Sequence, residues 1–151
     1  MDLRDTLLIL HIAGAGAWLG ANVVQAVTPP LAAAQGREVL AGWYRISAKL
    51  SSRLYIPAAV TILITGILLV LRSEVYGFDT PFVGIGMGVI VVSAVLGIVV
   101  FDPVGKRAAE EIEAGAEAEA RASATRLAGF GALDTLLLLF AITVMVLRWG
   151  A

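Results

Sequence analysis

His11, Trp18, Asn22 and Gln25 interrupt an otherwise apolar stretch near the start of the chain. Their offsets are 0, 7, 11 and 14 residues, so a helix carries all four on one stripe. The imidazole is a metal or haem ligand, a proton-handling group or a hydrogen-bonded packing residue. The indole adds a donor, and the two amides add donors and acceptors. A carboxylate, Asp134, stands in a second apolar run, and the hydroxyls Thr61 and Ser93 stand in two others. Met87 and Met145 add thioethers, which together with imidazole suit haem iron or cuprous copper. Methionine is also common apolar filler, so this pairing stays open.

The elements that must hold these groups are four apolar runs, Leu7–Val27, Leu54–Leu71, Pro81–Phe101 and Leu127–Leu147. A helix needs roughly 20 mainly apolar residues to cross about 30 Å of hydrocarbon. Three runs have that length, and the second reaches it with Arg53 and Arg72 snorkelling to the headgroups. Only 15% of residues are charged, where a soluble domain has about a quarter. The expected fold is an all-α, antiparallel bundle of four transmembrane helices in one domain. A net charge of −1 excludes a broadly basic nucleic-acid binder. The absence of cysteine excludes disulfides, zinc–thiolate sites and iron–sulfur clusters. Abundant Ala, Gly and Val with two lysines point to a bacterial coding sequence, hence the cytoplasmic (inner) membrane.

Ala32-Ala33-Ala34 resembles a signal cleavage site, but Met1–Asp5 holds two acids and one base where a signal peptide needs net positive charge. The first run is therefore expected to be retained. Loops 31–53 and 103–126 hold eight of the eleven Lys and Arg residues, so both belong in the cytoplasm with both termini outside. Thr28-Pro29-Pro30 is expected to end the first helix and Asp102-Pro103 the third. Residues 37–52 have helical spacing, with Leu40, Trp43 and Tyr44 available to the membrane interface, and the stretch is expected to lie on the inner surface or to run into the second helix. Lys106–Arg126 reads as a solvated helical hairpin broken near Gly115, with a Glu117/Arg121 pair. Gly16/Gly20 and Gly84/Gly88 have the small-xxx-small spacing of close helix packing, within the chain or in a homo-oligomer.

Depths follow from the helical rise. Asn22, Asp134, Thr61 and Ser93 fall about 8, 10, 10 and 12 Å from the inner helix ends, one polar group per helix in a shared layer. Arg53 lies just below and can reach toward Asp134. His11 falls about 24 Å from the same edge, with Met87 near 21 Å and Met145 near 27 Å. The Asp134 layer is a hydrogen-bonded register device or a solute or proton site.

Leu10-His11-Ile12, Trp18, Gly20 and the exit Pro29-Pro30-Leu31 resemble the first helix of an uncharacterised family of four-helix bacterial integral membrane proteins. The pattern is similar to the copper-resistance D family and to the HemJ-type protoporphyrinogen oxidases, whose first helix also sets a tryptophan seven residues after a histidine. Arg53-Leu54 through Pro57-Ala58 to Gly66 resembles the start of the HemJ second helix. The first resemblance implies a fold without an activity. The others imply haem b on His11, or copper uptake with His11 as ligand. HemJ also implies a lysine in the third helix, and none lies between Pro81 and Phe101. That departure argues against porphyrinogen oxidation. No nucleophile–base pair, phosphate loop or dinucleotide fingerprint is present, so no catalytic residue is assigned. The expectation is a small membrane protein holding a compact ligand among His11, Trp18, Asn22, Thr61 and Asp134. An oligomeric transporter or channel and a structural subunit of a larger complex are the alternatives.

Overall fold

The computed structural model describes Asp2–Gly150, the side chain of Ser51 excepted. Its helices are α1 (Leu3–Gln35), α2 (Arg37–Leu50), α3 (Ile56–Leu71), α4 (Pro81–Leu96), α5 (Asp102–Ala114) and α6 (Glu117–Val146). Five-residue π-helical turns, Ser51–Tyr55 and Gly97–Phe101, join α2 to α3 and α4 to α5 without a break. The result is an all-α bundle of four rods with no strand among the described residues. Each rod is long and apolar enough to cross a membrane, the architecture of a multi-pass membrane protein. Rods of 30 to 35 residues are about 50 Å long, against about 30 Å of hydrocarbon. The surplus length forms a second storey at one end, called here the hairpin side. The opposite end carries both termini and the short connection 72–80.

Within the membrane storey α1 packs on α3 and α4 on α6. Ile12, Val24, Ile64, Val91 and Leu136 point outward and are more than 40% exposed, a belt that hydrocarbon covers. In the hairpin-side storey α2 packs on α5, burying Ala41, Tyr44, Ala108, Ala109 and Ile112. This surface carries ion pairs Arg37–Glu117 and Arg107–Glu111, at 2.9 and 2.7 Å, and the pair Arg45–Glu113.

Several local expectations are corrected. Pro29 and Pro30 lie inside α1, which continues to Gln35. The carbonyls they leave without donors belong to Gln25 and Ala26 near the hairpin-side end, and Ala26 is exposed. Gly36, with φ 121°, makes the break instead. Asp102-Pro103 likewise fails to end a helix. Pro57 and Pro103 each stand in the first turn after a π-helical segment. The wider i to i+5 ladder passes over a residue that has no N–H, so the rod absorbs the proline. Tyr44 is buried against α5 with Leu40 and Trp43 partly buried beside it, and the stretch runs on through the π-helical turn into α3. Glu117 pairs with Arg37 across elements instead of with Arg121. Gly115 does break the hairpin, in the left-handed region at φ 74°.

The paired glycines do not mediate packing within the chain. A Cβ at Gly16, Gly20, Gly84 or Gly88 would meet nothing within 4 Å. Close approach occurs at Gly14, where a Cβ would lie 2.9 Å from Ile62 Cγ1. The spacing was present, but these faces turn outward while Gly14 turns toward α3.

Candidate functional site

Asp134 of α6 is 2% exposed and sits where α1, α4 and α6 converge. Its Oδ2 accepts from Trp18 Nε1–H at 3.1 Å and from Asn22 Nδ2–H at 2.9 Å. Its Oδ1 accepts from the Ser93 hydroxyl. The Tyr55 hydroxyl, in the π-turn before α3, donates to Asn22 Oδ1 at 2.9 Å, and its ring meets Trp18 edge-on at 5.8 Å. Three neutral donors thus satisfy a buried carboxyl group, and no cation is among its partners. Arg53 is exposed and does not reach this layer. Thr61 does not join it either, because its hydroxyl donates to the carbonyl of Pro57 at 2.8 Å, one turn back on its own helix. Gln25 accepts from the Ser47 hydroxyl at 2.7 Å and ties α1 to α2.

His11 lies toward the termini side. Its Nδ1 is 3.1 Å from Thr65 Oγ1. The Thr65 hydroxyl proton is directed at the carbonyl of Thr61, 2.5 Å away, so the Thr65 oxygen is left to accept. This network assigns the proton to Nδ1 and leaves the Nε2 lone pair as an acceptor or ligand. Gly66 makes room for the ring, since a Cβ there would lie 3.1 Å from His11 Cε1.

These groups border a cavity of about 590 Å³ between the α1–α3 and α4–α6 pairs. His11, Met87 and Met145 line it, and Trp18 and Ser93 line it nearer the Asp134 layer. The rest of the wall is mostly Leu, Ile, Val, Ala and Phe. Met87 is 39% exposed at its edge, and Met145 rests against Gly86. The structure therefore brings Trp18, Asn22, Ser93 and Asp134 together, and sets His11 with both methionines on the cavity that Trp18 and Ser93 also border. Among the described residues no three His, Cys, Asp or Glu side chains gather as a metal site. A metal would have to rest on His11 with thioether or exogenous ligands.

Sequence reading missed Thr65 and Tyr55. Thr65 had a signal, since it follows Thr61 by one turn and precedes Gly66. Tyr55 carried no signal of its own, since it stands at the start of the second apolar run beside Leu54. The chain matches no protein-family model, no curated protein and no solved structure.

Proposed function

We propose that the protein binds a compact, largely apolar ligand within the membrane, in the cavity between the two helix pairs, with His11 as its polar handle. The observation that carries this reading is the pairing of His11 with Thr65 on the wall of a 590 Å³ apolar cavity. Such cavities with a few fixed polar groups are the usual form of small-molecule sites. Fixing Nδ1–H on a hydroxyl orients the ring and reserves Nε2 for a ligand, the arrangement seen behind metal-bound histidines.

Haem b is the specific candidate. The donor set fits: one imidazole with a free Nε2, and two thioethers on the same cavity. His11 would hold the iron, and the group would supply one-electron chemistry when bound. The test is a visible absorption spectrum of protein purified in mild detergent after expression with added haem. A Soret band that His11→Ala abolishes supports haem. A colourless, folded protein removes haem as a resident cofactor.

A second reading has its own observation. Trp18 and Ser93 line the cavity and also bond Asp134, and Asn22 and Tyr55 extend this polar string toward the hairpin side. A small solute or ion path through that string is the transport alternative, tested by liposome flux with Asp134→Asn. The open glycine faces of α1 and α4 are then available to a second copy. For either reading we place the chain in the bacterial cytoplasmic membrane with its termini outside, as the lysine and arginine distribution favours.

A further inference from the structure

The charge around the cavity narrows the ligand's chemistry. Its wall holds two charged residues, Arg4 and Arg148, and no acid. Arg4 opens α1, and Arg148 follows the end of α6, so both stand on the termini side. Neither is in an ion pair among the described residues. Arg148 is also the one described non-glycine residue in the left-handed region, at φ 48°. A residue so held costs about 1 kcal/mol and turns the chain sharply at the helix end.

The cavity's reach matches one leaflet. Trp18 lies fourteen residues beyond Arg4 on one helix, a rise of about 21 Å, against about 20 Å for one leaflet with its headgroup region. Leu63 of α3 and Met87 of α4 both line the cavity while remaining more than a third exposed, so it opens sideways to lipid between these helices. Val70, Phe82 and Val83 form its apolar wall toward the termini side.

We infer that the ligand is an anionic amphiphile, carrying a carboxylate at the Arg4–Arg148 mouth and its apolar body between the helix pairs. Guanidinium forks match a carboxylate in geometry as well as charge. This rests on the cavity being a binding site, and the experiment separates the two claims.

The probe is stearate spin-labelled near its methyl end, compared with its methyl ester, in nanodiscs of zwitterionic lipid. The protein carries Trp43→Phe and Trp149→Phe, so Trp18 at the deep end is the sole indole emitter. The acid is expected to quench Trp18 saturably. Arg4→Gln with Arg148→Gln should raise its half-saturation concentration about tenfold, as should the methyl ester on the unchanged arginines. Added salt should weaken the acid and leave the ester unmoved. Ala141→Phe, in protein that remains folded, should abolish saturation for both, because Ala141 is a buried residue of the cavity wall. Equal binding of acid and ester, unmoved by the arginine changes but lost in Ala141→Phe, overturns the anionic inference and leaves the cavity reading standing. Quenching that never saturates and ignores Ala141→Phe overturns both.

Discussion

Replacing Asp134 by leucine strips the acceptor from three buried donors, Trp18 Nε1–H, Asn22 Nδ2–H and the Ser93 hydroxyl. Leucine is close to aspartate in shape, so the cavity term is small. Each orphaned donor costs about 1 kcal/mol in a membrane setting, where the unfolded helices also find partners. The expected loss is about 3 kcal/mol, roughly a hundredfold in the folding equilibrium. Asp134→Asn differs in kind. Its carbonyl still accepts from Trp18 and Asn22, and its amide donates to the Ser93 oxygen, so the three contacts keep partners and the loss is about 1 kcal/mol or less. The assay is reversible unfolding in mixed micelles, followed by tryptophan emission. A Ser93→Ala cycle should give a coupling with Asp134 that vanishes in the leucine background. Wild-type stability in Asp134→Leu would refute the view that this layer sets helix register. Equal damage from asparagine and leucine would show that charge, not acceptor geometry, is what the three donors serve.

Three further outcomes are expected. Gly14→Ala should destabilise by about 1–2 kcal/mol because its Cβ enters Ile62, while Gly16→Ala and Gly20→Ala should leave monomer stability unchanged in the same unfolding assay. Thr65→Val should weaken His11-dependent ligand binding roughly tenfold with little loss of fold, read as a shifted or lost Soret band if haem is bound, because Nδ1–H loses its acceptor. Glu111 is held below its ordinary value of 4.5, first by the Ser123 hydroxyl and then by Arg107. Its folded value is depressed, so its stabilisation is present above pH 4.5 and is lost as pH falls through that lower value. Protection factors across the α5–α6 turn, taken against the intrinsic exchange rate at each pH, should therefore fall in acid, and Glu111→Gln should remove that dependence.

The four-rod bundle was legible because apolar runs of membrane length have few other uses. The polar layer was legible in three of its groups. Ser93 is the one polar side chain between Pro81 and Phe101, Asp134 the one ionisable residue between Leu127 and Leu147, and Asn22 lies on the polar stripe of the first run, and such residues face inward. Thr61 failed the same test because a hydroxyl, unlike a carboxylate or amide, satisfies itself on its own helix. The prolines misled for a related reason. A proline ends a helix when the freed carbonyl has no other donor, and a π-helical ladder or a nearby aqueous edge supplies one. Neither remedy is written in the residue types themselves.

The two storeys also divide the chemistry. On the hairpin side, charges are paired across α2, α5 and α6, so that face is held by its own ions. In the membrane storey, one carboxyl group is satisfied entirely by neutral donors. Two arginines on the termini side face the cavity with no described acid to pair them. A self-satisfied core beside an incompletely satisfied mouth is what a bundle needs if its cavity is to admit and release a charged amphiphile without unfolding. Strengthening the core should then raise stability without tightening binding. Gly105→Ala on α5 is the discriminating change, because its Cβ would make ordinary contact with Ala48 at 3.9 Å and favour the helix, away from the cavity, Asp134 and both arginines.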